Sequence, residues 1–428
     1  MTKPTRGLLR SAGNVSKRFG NTPSRQHSLT KSGSRRSLTK NNSKRLLFDA
    51  VSLTAQEAIE ASPILSRSPG KSVELYHGDE VKKGKVILYG EFYDLYSVKH
   101  LRADDQHDAS DASDSAELTA TDSAKKYAVK LLSQKRSTEG GIIQQATLRL
   151  VLEAKYLARL SHPNLVKAKG IPFGEEVAHG CSDDFFLITE RMTETLEARL
   201  ERWSQNPTRS SFFQNQRLSI DTKRRLEYAK SLIDALKYLH DQNLVVLNLK
   251  PENIGFLPDD TIQITDLSCC RELKPKGRRK SSTDNPGCRS DPLGFGIDLM
   301  AGESTQSQMA RAKSNFLVLA ASSGGIPRYM APEAIVSGAY TKAADTYSWS
   351  LVMYEMLAIS KPYASFKLGQ HLLKVCNEGN RPNLSMHKFP MEVEGLLQMS
   401  WRKTYSKRPS MNDLVEAFPC LLNLKPKA

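Results

Sequence analysis

Strand-like segments early in the chain, followed by helical spacing through the rest, predict an α+β protein of two lobes, a small β-rich one and a larger helical one. Lys85 to Val98 and Lys126 to Leu132 read as strands. From Ala146 onward the apolar residues recur at helical intervals instead. The chain has 428 residues, 39% hydrophobic and 25% charged, which excludes a wholly disordered or fibrous protein. That length leaves room for one large domain or two compact ones, plus tails.

The N-terminal 75 residues stand apart in charge. They hold fourteen Lys/Arg against Asp49, Glu57, Glu60 and Glu74, about +10 of the formal +16. Leu and Phe are too sparse there to bury a core, so residues 1 to about 72 are expected to be disordered. Arg25-Gln26-His27-Ser28 and Arg35-Arg36-Ser37 set hydroxyls beside cations, as basic-directed phosphorylation sites do. A solvated tail is the plain expectation. The alternatives are contact with nucleic acid or anionic lipid, and an organelle transit segment. The latter draws on Leu8, Ala12, Val15 and Phe19, which share a helical face with no acid before Asp49.

Residues 101–124 form a second composition shift, with Asp104, Asp105, Asp108, Asp111, Asp114, Glu117 and Asp122 among Ala, Ser and Thr. They read as an acidic loop inserted in a long hairpin connection. Helices are expected at Ala146 to Leu160, at Asp221 to His240 with Asp221 as cap, and at Ala344 to Leu357. The third is apolar nearly all round and should be buried. No apolar run is long enough to cross a bilayer. Cysteines at 181, 269, 270, 288, 376 and 420 lack paired spacing, which predicts reduced thiols and a cytoplasmic or nuclear location.

Five motifs follow one another in order: Tyr127-Ala128-Val129-Lys130, Glu153 on a helix, Asn248-Leu249-Lys250-Pro251-Glu252-Asn253, Asp266-Leu267-Ser268 and Ala331-Pro332-Glu333. With Ser161-His162-Pro163-Asn164, Asp345 and Arg408-Pro409, this series resembles the signature set of the eukaryotic protein kinases over roughly residues 80 to 423. The resemblance implies an N-lobe over 76–192, a C-lobe over 193–423 and an activation segment over 266–333. It also implies that Glu333 pairs with Arg408, that Asp345 braces the catalytic loop, and that Leu157, Val246 and Leu267 stack through the two lobes.

For the nucleotide the resemblance implies ATP with Mg²⁺. Burying Lys130 on an apolar strand requires a counter-charge, and Glu153 supplies one while leaving the ammonium for phosphate. Asn253 and Asp266 offer hard oxygen ligands for magnesium. Ala128, Thr189 as a small gatekeeper, Glu190 and Met192 would line the adenine end. Two departures weaken this site. The phosphate-covering turn, Leu88 to Tyr93, keeps only the middle glycine, Gly90, so its backbone can approach phosphate at one point. Gly255 stands where the family places a bulky apolar residue beneath adenine, which removes part of the floor.

The reaction centre departs further. Val246-Leu247-Asn248 replaces His-Arg-Asp, so the residue that should accept the substrate proton is an amide, with Lys250 retained beside it. Gly325-Ile326-Pro327 also lacks the threonine hydroxyl that serves that carboxylate. Leu247 removes the arginine that would grip a phosphorylated activation segment, and Ser268 in place of glycine should stiffen the turn after Asp266. These changes point to a pseudokinase: a kinase-fold signalling scaffold that binds ATP with Mg²⁺ and protein partners but transfers phosphate weakly or not at all. A working Ser/Thr kinase with an altered centre, and an anchoring protein using its basic tail, are the alternatives. Ser281 and Ser282, after Arg278-Arg279-Lys280, are candidate sites for an upstream kinase.

Overall fold

The computed structural model describes residues 54–60, 62–66, 73–90, 92–101, 126–133, 140–173, 185–205, 213–214, 217–273, 326–337 and 341–424. All belong to one compact unit that begins at Leu46. Most of the basic tail, the acidic insert after Leu101, Gly325, Ser281 and Ser282 lie outside the described residues.

Six strands form the small lobe: β1 (Glu74–Tyr76), β2 (Val81–Tyr89), β3 (Tyr93–Leu101), β4 (Tyr127–Leu132), β5 (Ala168–Pro172) and β6 (Phe186–Glu190). Their spatial order is β1-β5-β6-β4-β3-β2, with β1 parallel to β5 and the other neighbours antiparallel. The run from Lys85 to Val98 is therefore two strands, and Leu101 is a fully buried strand end.

Register sorts the side chains by the two-residue period of a strand. Tyr96 and Val98, Tyr127, Val129 and Leu131, and Phe186 and Ile188 share an outer cluster with Tyr76 and Leu101. The opposite face carries Tyr93, Leu132 and Leu187 into the main core. Lys130 lies across from Leu95 and Leu187, and Ala128 across from Thr189. A one-residue slip would have put Lys130 in the outer apolar cluster.

The large lobe is built on helices Ile220–Asp241 and Lys342–Ala358. Every residue from Ala344 to Leu357 is buried, in accord with the all-round apolar pattern. Trp349 Nε1 donates to the carbonyl of Ala229 at 2.9 Å, so the indole leaves no buried donor unpaired between the two helices. Arg408 grips Glu333 with both terminal nitrogens, at 2.6 and 2.9 Å. It also donates to the carbonyls of Ala343 and Arg402. This bidentate pair is largely buried, as expected.

Two expectations are corrected here. The cap of the 220–241 helix is Ser219, whose hydroxyl accepts the Thr222 N–H at 3.1 Å; Asp221 lies in the first turn. The second concerns the N-terminal segment. Residues 54–60 are helical, and Ala55, Ile64 and Leu65 are buried in the main core. Ser62 Oγ accepts the N–H groups of Ile64 and Leu65 at 3.2 and 2.9 Å and bonds to Glu272. Sparse as its apolar residues are, three of them meet a ready-made core, which offsets the ordering entropy that a free tail could not.

Candidate functional site

The site is assembled from four elements. Strand β4 contributes Lys130, the Gly140–Leu157 helix contributes Glu153, and the loops around Asn248–Asn253 and Asp266 come from the large lobe. Lys130 Nζ lies 2.7 Å from Glu153 Oε2 and 3.7 Å from Asp266 Oδ1. Glu153 is fully buried, and its second oxygen accepts the Leu267 N–H at 3.2 Å. One carboxylate thus ties strand, helix and the Asp266 turn together.

The electrostatics follow from that packing. Burial pushes the Glu153 carboxyl up to about 7, against the pull of Lys130. Burial would lower Lys130, but the charges of Asp266 and Glu153 outweigh it and raise the ammonium above its ordinary value. For Asp266 burial acts upward, yet Lys130 and the hydrogen bonds of Ser268 hold it below the usual carboxylate range. The Ser268 N–H to Asp266 Oδ1 bond is 2.8 Å, so serine at that position fixes the carboxylate through its backbone.

The catalytic-loop backbone hangs on Asp345. Its Oδ2 accepts the Val246 N–H at 2.8 Å and meets His240 Nε2 at 2.9 Å; its Oδ1 accepts the Leu247 N–H at 2.8 Å. Leu247 has φ of 63°, a left-handed conformation that a leucine adopts at a cost. Asp345 holds it there. Val246, Leu267 and Leu157 are all buried in the shared core, as expected for residues that stack through the lobes.

Asn248 and Lys250 are brought together on the wall of a cavity of about 410 Å³, with Ile326, Pro327, Arg328 and Glu252. Ile326 and Asn248 thus line one space. Asn253 Nδ2 donates to the Asn248 carbonyl at 2.9 Å, which leaves the Asn253 amide oxygen as its acceptor. Among the described residues no cluster of three or more His, Cys, Asp or Glu is arranged to hold a metal.

At the adenine end, Thr189 lies on β6 beside Ala128, and Glu190 ends that strand. The thinned floor expected at Gly255 is not open. A Cβ there would lie 2.6 Å from Met192 Cγ and 3.1 Å from its Sδ, so the thioether chain takes the space that a bulky residue 255 would fill.

The largest surprise lies at the other end. Gly90 lies against the start of β3: its N–H donates to the Tyr93 carbonyl at 3.0 Å, and a Cβ would lie 2.3 Å from that oxygen. Tyr93, in the place of the third glycine, turns its ring beneath Lys130, whose Nζ is 4.5 Å from the ring centroid. The phenol donates to the Ala146 carbonyl at 2.9 Å. Burial raises the hydroxyl well above its ordinary pKa, so it stays protonated. The missing glycines are legible in the sequence, but the direction of the side chain that replaces the third is not.

Comparison with known proteins bears on the whole constellation. The family model for the protein kinase domain matches residues 112–289, and that for protein tyrosine and serine/threonine kinases matches residues 308–418. Human receptor-interacting serine/threonine-protein kinase 1 is 27% identical over 274 residues, 63% of this chain and 34% of that protein. Human serine/threonine-protein kinase Nek11 is 24% identical over 297 residues, 69% of this chain and 37% of its own length. Dual specificity protein kinase shkB of Dictyostelium discoideum is 24% identical over 264 residues, 61% of this chain and 32% of that protein. The chain thus spans about a third of the length of these relatives. The β-sheet lobe, the helical lobe, the Lys130–Glu153 pair, the Asp345 brace and these matches agree: the chain belongs to the eukaryotic protein kinase superfamily.

Proposed function

We propose that this protein is a kinase-fold signalling protein in which the family activity, phosphoryl transfer from ATP to protein serine or threonine, is weak or lost. One observation carries the reading: the residue beside Lys250 on the wall of the 410 Å³ cavity is Asn248, an amide where a base is needed. An amide takes no proton near neutrality, and a positioned base is worth about 10² to 10⁴ in rate. Ile326 on the same wall brings no hydroxyl to compensate. Lys250 retains the charge that would offset the transferring group.

ATP with Mg²⁺ is the cofactor of the family, and the fit here is uneven. Asp266, held low in pKa, and the free amide oxygen of Asn253 are suitable hard ligands for magnesium. Lys130 and Glu153 form the pair that would meet phosphate, but Tyr93 lies against the ammonium. No step is therefore derived through the nucleotide. The cavity with Lys250, Arg328 and Lys361 against Glu252 suits a protein partner held by charge. Ser281 and Ser282 as sites for an upstream kinase, and the basic tail as a contact for anionic surfaces or an organelle signal, belong to the same proposal.

An active kinase with an altered centre has one observation in its favour. Glu252 lines the same cavity and is the one carboxylate among its lining residues. Radiolabel transfer from ATP to a mixed protein substrate decides between the two. The pseudokinase reading expects no transfer by the wild type above that of Lys130→Ala. Transfer abolished by both Lys130→Ala and Glu252→Gln would establish the alternative.

A further inference from the structure

Two groups at the phosphate end of the cleft are already committed. The Gly90 N–H, the one point at which the turn could approach phosphate closely, is spent on the Tyr93 carbonyl at 3.0 Å. The Lys130 ammonium has three donors. Glu153 takes one at 2.7 Å, Asp266 lies at 3.7 Å, and the Tyr93 ring covers a further face with its centroid at 4.5 Å.

We propose that Tyr93 is a built-in occupant of the phosphate subsite, which holds Lys130 and Glu153 in their closed pair without nucleotide and excludes nucleoside triphosphates from the cleft. The direction of the side chain is set by the fold. Tyr93 is the first residue of β3, opposite Leu132 on β4, and strand geometry points it to the face shared with Lys130. Its hydroxyl is tethered to the Ala146 carbonyl of the helix that carries Glu153, at 2.9 Å. Sheet, tyrosine and helix are thereby linked beside Lys130. A triphosphate reaching for Lys130 would have to move the ring, break that tether and find another backbone donor in place of Gly90. In the family's motif this position is a glycine, which places nothing under the turn.

The inference goes beyond the reading of phosphotransfer, because it concerns entry of the nucleotide and not the missing base. Its test is calorimetric titration of the full-length protein with ATP and excess magnesium, comparing wild type, Tyr93→Phe and Tyr93→Gly. Wild type and Tyr93→Phe are expected to show no saturable binding, since both keep the ring. Tyr93→Gly is expected to gain at least about tenfold in affinity, about 1.4 kcal/mol. Saturable binding by the wild type, with a Kd unchanged in Tyr93→Gly, would overturn the proposal.

Should Tyr93→Gly fail to fold by circular dichroism, the wild type alone decides. Acylation of Lys130 by a lysine-directed reagent, followed by peptide mass spectrometry, should proceed at the same rate with and without magnesium-ATP. Protection by magnesium-ATP would refute the occupancy of the subsite. A wild type that binds the nucleotide but transfers no phosphate sinks this inference and leaves the pseudokinase reading in place; transfer by the wild type sinks both.

Discussion

Asp345 and Lys130 are both charged groups held in nearly dry surroundings, and they are satisfied in different ways. Asp345 is fully buried and receives two backbone N–H groups and a histidine nitrogen, all within 2.9 Å. Lys130 keeps 14% of its side chain exposed, and every partner described above is a side chain: Glu153, Asp266 and the ring of Tyr93. Backbone donors cannot leave without unfolding the loop that carries them, whereas side chains can turn away or be exchanged by a single mutation. Asp345 is thus fixed by the backbone of the large lobe, and the surroundings of Lys130 are the part of the molecule that a single mutation can change.

The sharpest way to break that comparison is to restore the site. Asn248→Asp combined with Tyr93→Gly is expected to raise radiolabel transfer by about 10² to 10⁴ over the wild type. Asn248→Asp alone should stay near background, because the nucleotide still meets Tyr93. Equal activity of the single and double variants would show that the ring is no obstacle. A gain in neither would place the lesion elsewhere, with Ile326 the next position to change.

Removing the frame should cost stability rather than chemistry. Asp345→Ala strands the Val246 and Leu247 N–H groups and releases a strained Leu247, an expected loss of about 3–5 kcal/mol in urea unfolding. Lys130→Met should cost less, about 1–3 kcal/mol, because Glu153, already raised to about 7, can take up a proton in place of its lost partner. If the two substitutions cost the same, the distinction between backbone-held and side-chain-held charges fails.

Leu65→Ala tests whether the docked N-terminal segment belongs to the frame. Leu65 is 1% exposed, and the truncation should cost about 2–5 kcal/mol, read as a lower urea midpoint. A change near zero would return residues 62–66 to the solvated tail.

A last test concerns pH. Glu355 is buried, and burial pushes its carboxyl up to about 7, against the Tyr329 hydroxyl and Lys361, with Glu252 and Glu197 adding to the rise. The folded state then holds a proton that the unfolded chain releases near 4.5. Stability contributed by that proton is complete below about 4.5 and is lost as pH rises toward 7, by up to about 1.4 kcal/mol per pH unit. Glu355→Gln should remove Glu355's share of that slope, leaving the share of Glu153, measured as Tm between pH 5 and 7.5. An unchanged slope would mean that Glu355 titrates like an exposed glutamate.

Much of the frame was legible because its signals are local or ordered. Period-two and period-3.6 patterns marked β4 and the helices around 146–157, 221–240 and 344–357, and the motif order identified Lys130 with Glu153 and Glu333 with Arg408. The misses share a cause. Asp221 reads as a cap where Ser219 is the cap, since either residue type suits that position and only backbone direction separates them. Residues 54–66 read as too poor in apolar side chains to fold, because composition cannot see a core, or a partner such as Glu272 for Ser62, supplied from elsewhere in the chain. Gly255 looked like a hole because its filler, Met192, comes from another strand connection.

The order of residues by itself determined the family, the two-lobed architecture and the amide at position 248, since each is a matter of which side chain stands at which place in a pattern. Where Tyr93 points was decided only by the tertiary structure. A glycine-to-tyrosine change in a turn can send a ring to solvent or into the cleft. Strand pairing with β4 and a carbonyl on the Glu153 helix select the second, and neither partner is adjacent to it in sequence.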